Sequence, residues 1–291
     1  MDKITIIILQ LILFVGIAPF LSGLITVIKN NMRMRRGQSV FQPYHNLFKL
    51  FSKGEVIPET SSWIFRVTPF IVISSTLAGT LLIPLLANPS PARHMGDFLG
   101  LIFIFSLGRF FLALSALDTG SAFGGMGSSR EMFISSLAEP VMLLAVFSIS
   151  LQFGSTDIST FGGPHIVTVS SIITAVAIFI AMIAETSRIP VDNQETHLEL
   201  TMVHEAMVLE YSGKSLALIE TASYVKQMIF LFIIGQLIFP AIMPLGMVIV
   251  ALIVALVEVM LAKMRLFRVP DLLALGFTLG IMAVACSILG V

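Results

Sequence analysis

The apolar stretch ITIIILQLILFVGIAPFLSGLITVI, residues 4–28, decides the fold class. A membrane-spanning helix needs roughly 20 consecutive, mostly apolar residues, and this stretch is longer than that and carries no charged side chain. It is too long for the apolar region of a signal peptide, and it lacks a basic region before it and a small-residue cleavage site after it. The stretch therefore predicts a retained transmembrane helix.

Further apolar stretches of similar length follow along the chain. Only 12% of the 291 residues are charged and 56% are hydrophobic, whereas soluble domains carry about twice that charged fraction. No internal repeat or linker divides the sequence, so we predict one integral membrane domain over residues 1–291. The expected fold is all-α and polytopic, with about eight transmembrane helices at 4–28, 67–87, 98–117, 131–153, 166–187, 217–239, 244–262 and 271–290.

Basic residues predict the orientation of these helices. They concentrate after the first and seventh stretches, at Lys29, Arg33, Arg35, Arg36, Lys49, Lys53, Arg66, Lys263, Arg265 and Arg268. By the positive-inside rule these loops face the cytoplasm. We therefore expect a multi-pass protein of the cytoplasmic membrane with both termini outside.

The first cytoplasmic segment, residues 30–62, carries apolar residues at helical spacing. Such a pattern indicates an amphipathic helix lying in the membrane interface. It serves either as an anchor for the first loop or as a docking surface for a partner protein. The apolar positions are Val40, Phe41, Tyr44, Leu47, Phe48 and Phe51.

Composition excludes several classes of function. The net charge of zero argues against nucleic acid as a partner, because phosphate binding needs a basic face. Cys286 is the single cysteine, so the chain cannot supply the thiolates of an iron–sulfur cluster or a zinc site. We expect no cofactor in this chain, and any electron carriers belong to other subunits.

The stretch AETSRIPVDNQETHLELTMVHEAMVLEYSG, residues 184–213, gathers carboxylates in an otherwise apolar chain. A helix is predicted after Pro190, with Gly213 as its C-cap, and Asp192 with Glu195 has the form of a capping box. A solvated acidic face is one interpretation. Because the intervening residues are largely apolar, we favour carboxylates that line a partly buried, wet cavity and exchange protons. The six acidic residues are Glu185, Asp192, Glu195, Glu199, Glu205 and Glu210.

Charged residues also fall inside the predicted membrane helices. A charge at a helix centre costs roughly 2.5–3.5 kcal/mol on insertion scales. Arg109, Glu139 and Lys226 are the deepest, and we interpret them as part of a proton or ion path or as a buried ion pair. Glu131 and Glu258 lie near helix ends, where side chains can snorkel to the surface.

Two other motifs predict no independent chemistry. His204-Glu205 suggests a zinc protease, but Val208 occupies the position of the second histidine in H-E-x-x-H. The glycine-rich stretch 120–129 lacks the Lys-Ser/Thr of a phosphate-binding loop. Its glycines are expected to permit a sharp turn or close helix packing.

Four motifs resemble the complex I subunit 1 family. ETSRIPVDNQETHLEL followed by LEYSG is similar to the signature of its acidic loop, and MRRGQSVFQPYHNLFKLFSK is similar to the segment after its first helix. LDTGSAFGGMGSSREM and AKMRLFRVPDLL resemble its hydrogenase branch, which includes formate hydrogenlyases and group 4 membrane-bound [NiFe] hydrogenases. The resemblance covers nearly the whole chain.

The resemblance implies a membrane subunit onto which a peripheral redox arm docks and which links electron transfer to proton or sodium movement. It implies partners with a [NiFe] centre and iron–sulfur clusters: the hydrogenase large and small subunits, iron–sulfur subunits and antiporter-like membrane subunits. This chain itself would be a non-catalytic subunit of an oxidoreductase complex. Matched positions place Arg33, Arg36, Gln42 and Arg188 at the docking surface. The expected ion-coupling residues are Glu139, Glu185, Asp192, Glu195, Glu199, Glu210, Arg109 and Lys226.

Three alternatives remain at this point. The first is the equivalent subunit of a quinone-reducing NADH dehydrogenase. Quinone-reducing members of the family typically carry other residues where this chain has Val191-Asp192-Asn193 and Thr196-His197. This difference favours a hydrogen-evolving complex. A ferredoxin-dependent sulfur-reducing complex is the second alternative. A standalone cation transporter is the third, although the inverted repeats typical of transporters are not found.

Overall fold

The computed structural model describes residues 3–35, 37–86, 97–161, 163, 165–192 and 202–290. Within these residues the chain is helical and forms no strand. The helices are α1 Lys3–Met32, α2 Gln42–Ser52, α3 Trp63–Leu81, α4 Phe98–Asp118, α5 Ala122–Phe153, α6 Ile158–Phe161, α7 Val169–Glu185, α8 His204–Val208, α9 Gly213–Ile238, α10 Met243–Met260 and α11 Val269–Leu289.

The polytopic all-α prediction is confirmed. Seven described helices are long and apolar enough to cross a membrane, and the remaining predicted stretch, 166–187, forms the shorter apolar helix α7. The largest boundary difference is in α5, which begins at Ala122 rather than at residue 131. The side chain of Ser121 accepts a hydrogen bond from the Gly124 amide at 3.1 Å, so the helix is capped before its apolar part begins.

Helix α9 lies at the centre of the bundle. It packs against α1, α3, α7 and α10, and its Phe230 and Phe232 are fully buried. A second layer is formed by α4, α5, α7 and α11, which contact one another in turn. The bundle therefore brings helices that are far apart in the sequence to the same central polar groups.

The predicted amphipathic helix is confirmed as α2. Its Leu47 is buried, whereas Phe48 is exposed to 76%, and the helix packs against α1 and α9. Tyr44 anchors it, because its hydroxyl donates a hydrogen bond to the carbonyl oxygen of Gly16 in α1. The exposed aromatic face of α2 is thus held in a fixed direction.

The acidic segment does not form the unbroken helix predicted after Pro190. Residues 193–201 lie outside the described part of the chain, α8 contains only His204–Val208, and Gly213 opens α9 instead of ending a helix. Gly213 has a φ of +53°, and a Cβ there would lie 2.5 Å from the carbonyl oxygen of Gly54. The glycine is needed for a turn and a close backbone approach that the sequence pattern did not distinguish from a helix C-cap.

The glycine-rich stretch packs as expected. A Cβ on Gly127 would lie 3.0 Å from the Cβ of Ala206 and from the carbonyl oxygen of Val203. Helix α8 therefore sits directly against α5, and its Ala206, Met207 and Val208 are buried.

Candidate functional site

Four charged side chains from four helices form a continuous set of ion pairs, which we call the intramembrane charge chain. Arg109 of α4 contacts Glu185 of α7 at 2.5 Å and Glu139 of α5 at 3.1 Å. Lys226 of α9 contacts the second oxygen of Glu185 at 2.6 Å. The order of contacts is thus Glu139, Arg109, Glu185 and Lys226.

Alternating charges stabilise this chain in its buried position. The side chains of Glu185 and Arg109 are exposed to only 3% and 6%. Burial of an isolated charge is strongly unfavourable unless it is paired and hydrogen-bonded, and Glu185 accepts one bond from each of two cations. The four formal charges cancel, so the intramembrane charge chain is stable as a unit.

The Glu139 end of the intramembrane charge chain is more exposed than the other three residues. Its side chain is exposed to 39%, and it accepts hydrogen bonds from Ser106 at 2.7 Å and Arg109 at 3.1 Å. Glu139 therefore joins the buried pairs to the outer surface of the bundle.

A small cavity of about 50 Å³ adjoins the charge chain. We call it the inner cavity. Glu131 of α5 lines it and is exposed to 5%, and no described residue forms a hydrogen bond with its Oε2. Its other polar walls are Ser75, Thr76, Arg109, Glu185, His204, Ser223 and Lys226.

A second cavity of about 250 Å³ lies beside the inner cavity, and we call it the loop cavity. It contains two carboxylates, Glu205 and Glu220, and Tyr211 is among its lining residues. His204, Ile219 and Ser223 line both cavities. These three residues form the wall between them.

A third cavity, of about 740 Å³, opens between α1, α2 and the segment that follows α7. On its wall Glu258 pairs with Lys29 at 3.1 Å and with Arg188 at 2.7 Å. Arg188 also donates to the side chain of Gln227 at 2.8 Å, and Arg33 donates to the Glu258 carbonyl oxygen at 3.1 Å. This second ionic cluster joins α1, α10 and the segment after α7.

Asp192 lies away from the intramembrane charge chain. Its carboxylate contacts Lys263 at 2.5 Å and accepts hydrogen bonds from the amides of Val203 and His204 at 3.1 and 3.2 Å. Asp192 therefore binds backbone amides at the start of α8, whereas the predicted capping box with Glu195 involves residues outside the described part of the chain.

The structure thus brings together only some of the residues predicted from sequence. Glu139, Glu185, Arg109 and Lys226 form one network, whereas Arg188 and Arg33 belong to the Glu258 cluster. Glu210 lies in the turn between α8 and α9, and Gln42 begins α2, where it bonds to Asn46. Arg36, Glu195 and Glu199 lie outside the described residues.

Two residues expected to snorkel are instead buried. Glu131 is exposed to 5% and lies well inside α5, because that helix begins at Ala122. Glu258 is exposed to 3% and is paired with Lys29 and Arg188. His204, Lys29 and Lys263 were also missed as parts of these sites. Their sequence signal, a charged or polar residue close to an apolar stretch, is the same as that of a surface residue.

Tyr211, from the LEYSG motif, fixes the end of the acidic segment. Its ring stacks on Phe65 at a centroid distance of 4.0 Å, and its hydroxyl donates to the Phe65 carbonyl oxygen at 3.1 Å. Burial raises the pKa of the Tyr211 phenol to about 12. The neutral phenol is thus the form that the fold stabilises.

Tyr211→Phe is expected to reduce the alkaline destabilisation of the protein. Because the pKa of Tyr211 is raised on folding, its stabilising effect is complete below about pH 10 and is lost as the pH rises toward 12. At neutral pH the substitution should cost about 1 kcal/mol for the lost hydrogen bond. Unfolding free energies of the wild type and of Tyr211→Phe, measured across this pH range, test the expectation, and an unchanged slope for the variant would contradict it.

No group of three His, Cys, Asp or Glu side chains that could hold a metal ion occurs in the described part of the chain. The arrangement suits proton and ion chemistry, because carboxylates, an imidazole and two cations line the adjacent inner and loop cavities.

Comparisons with known proteins agree with the motifs. The family model described as NADH dehydrogenase matches residues 4–289. Formate hydrogenlyase subunit 4 of Escherichia coli (strain K12) is 30% identical and aligns over 94% of this chain and 95% of the relative. Hydrogenase-4 component C of the same organism is 32% identical over 94% of this chain and 92% of the relative. The family resemblance predicted from the motifs is confirmed.

More distant similarity extends to two further proteins. NADH-quinone oxidoreductase subunit 8 of Rhodothermus marinus is 28% identical over 68% of this chain and 60% of the relative. A chain in the solved structure of the membrane-bound sulfane sulfur reductase, an archaeal respiratory membrane complex, superposes with a TM-score of 0.85. It covers 99% of this chain and 100% of that chain at 16% identity, so the two share a fold.

Proposed function

The chain belongs to the NADH dehydrogenase subunit 1 family, and from this premise we propose that it is the membrane anchor and ion-coupling subunit of a multisubunit membrane-bound [NiFe] hydrogenase. Two full-length relatives are named as a formate hydrogenlyase subunit and a hydrogenase component. The hydrogenase-type motifs at residues 117–132 and 262–273 support the same branch. The [NiFe] centre and the iron–sulfur clusters reside in partner subunits.

The intramembrane charge chain is the observation that carries the ion-coupling role. Glu185 holds Arg109 and Lys226 at once, so adding a proton to Glu185 weakens both pairs together. Arg109 then pairs more strongly with Glu139, which it already contacts at 3.1 Å. One proton gained at the buried Glu185 thereby changes the electrostatics at the exposed Glu139, where a membrane partner binds.

The peripheral redox arm docks on the side of α2. Its expected contacts are Arg33, Arg36, Gln42 and Arg188, of which Arg33 and Arg188 are tied to the Glu258 cluster. Reduction in the arm adds negative charge above this cluster and draws protons toward Asp192, Glu195, Glu199 and Glu210. Antiporter-like membrane subunits bind at the lipid-facing side of the bundle and receive the effect through Glu139.

Isolation of the intact assembly tests this function. Gentle detergent extraction of a tagged chain should recover nickel- and iron-containing subunits, and proteoliposomes of the complex should couple hydrogen evolution to proton or sodium movement. Recovery of the chain alone, without metal or soluble partners, would contradict the proposal. Cation uptake by the chain alone would instead indicate a standalone transporter.

The equivalent subunit of a quinone-reducing NADH dehydrogenase is the second candidate. It is favoured by the similarity to NADH-quinone oxidoreductase subunit 8, although the alignment covers a smaller part of both chains. Quinone-dependent turnover of the purified complex would favour this candidate, and a ferredoxin-dependent sulfur reduction would favour the remaining alternative. Neither activity is expected.

A further inference from the structure

We propose that Glu131 and His204 form a proton-transfer step across a bound water in the inner cavity, joining the loop cavity to the intramembrane charge chain. The inference rests on the proposed function and deepens it, since it assigns the entry point of the ion path. Neither residue was among the ion-coupling residues predicted from the sequence.

The first observation is the unpartnered oxygen of Glu131. This residue is exposed to only 5%, and no described residue forms a hydrogen bond with its Oε2. A buried carboxylate oxygen without a hydrogen bond is strongly unfavourable. The side chain lines the inner cavity, so a ligand there would satisfy it.

The second observation is that the inner cavity suits water. A water needs about 10–15 Å³ of probe volume and two to four polar partners, and the cavity offers about 50 Å³. Arg109, Lys226 and Glu185 on its walls supply donors and an acceptor. Water is therefore the ligand whose chemistry the cavity matches.

The third observation is the position of His204 between the two cavities. Among the described residues, His204 and Ser223 are the polar side chains that line both cavities, and Ile219 is the apolar part of the shared wall. The backbone amide of His204 is held by Asp192 at 3.2 Å, which fixes the start of α8. Of the two polar groups, the imidazole is the one whose two ring nitrogens can accept a proton on one side and donate one on the other.

The step conserves protons and charge. The imidazolium of His204 donates a proton to the cavity water, and that water donates one of its protons to Glu131 Oε2. Neutral His204 regains a proton from the loop cavity, where Glu205 and Glu220 lie. Neutralising Glu131 removes a negative charge beside Arg109, which strengthens the pull of Glu185 and Glu139 on that cation.

Infrared spectroscopy of the full chain in lipid nanodiscs tests the step directly. A pH-difference spectrum should contain the carbonyl-stretch band of a protonated buried carboxylic acid. The band should be absent in Glu131→Gln and shifted in His204→Gln. Glu59→Gln, which changes an exposed carboxylate on the loop before α3, should leave it unchanged.

A second readout uses the assembled complex. In Glu131→Gln, ion movement per hydrogen evolved should fall by roughly 100-fold, the lower end of what a positioned proton-transfer group contributes. Glu131→Asp, which restores a carboxylate in the same cavity, should recover part of the loss. His204→Gln should reduce coupling with Glu131 still in place, so the test does not depend on the folding of one variant.

The outcomes separate this inference from the proposed function. If the wild-type complex couples ion movement while Glu131→Gln and His204→Gln couple normally and keep the band, the inference is wrong and the function stands. If the wild-type complex moves no ions but the band responds to both substitutions, the proton step stands and the proposed function fails.

Discussion

Glu185→Gln or Lys226→Met alone is expected to destabilise the folded chain by about 3–5 kcal/mol, whereas the double substitution restores most of that loss. Glu185 is exposed to 3% and contacts Arg109 and Lys226. Glu185→Gln leaves two buried cations with only Glu139 as a counter-charge. Lys226→Met leaves two carboxylates on Arg109 alone. In the double variant Arg109 and Glu139 remain as a balanced pair.

A double-mutant cycle in mixed detergent micelles measures this effect. The unfolding free energies of the two single variants and the double variant give the interaction energy, which should offset most of the sum of the single costs. Lys214→Met, an exposed lysine in the same helix, is the control and should change stability little. Simple additivity of the two single costs would show that the charge chain is not one electrostatic unit.

Ion coupling should respond differently from stability in the same variants. The double variant is expected to fold and assemble but to lose ion-coupled turnover, because Glu185 can no longer bind a proton. Normal ion coupling in that variant would show that Glu185 and Lys226 have only a structural role.

The sequence predicts the helical architecture well because the bilayer leaves few choices. A segment in lipid must satisfy all its backbone hydrogen bonds internally, so eight apolar stretches of sufficient length become eight helices. Helix ends were less predictable. The start of α5 at Ala122 depends on the Ser121 cap, which is a local contact, and on the glycine contact with α8, which is a tertiary one.

The site was predictable only in part. Arg109, Glu139 and Lys226 were identified because a charge deep in a membrane helix is costly, and the structure places all three in one chain of contacts. Hydropathy carries no information about how helices are rotated against one another. It therefore could not show that Glu131 is buried beside His204 or that Asp192 lies elsewhere, against Lys263.

Glu139→Gln is expected to leave the complex assembled and to reduce ion-coupled turnover by roughly 100-fold, as for the loss of a positioned proton-transfer group. Glutamine keeps a side-chain oxygen that can accept the bonds from Ser106 and Arg109, so local packing is retained. What is lost is the negative charge and the ability to bind a proton. Because Glu139 is 39% exposed, the change costs little stability.

Two comparisons separate the charge of Glu139 from its hydrogen bonds. Ser106→Ala removes one bond to Glu139 but keeps the carboxylate, and it should reduce coupling only slightly. Electron transfer from the peripheral arm, measured with an artificial acceptor, should be unchanged in both variants, because under the proposed function the redox centres lie in other subunits. If the Glu139→Gln complex moves as many ions per turnover as the wild type, the ion path leaves the bundle at another residue. The functional part of the charge chain would then end at Arg109.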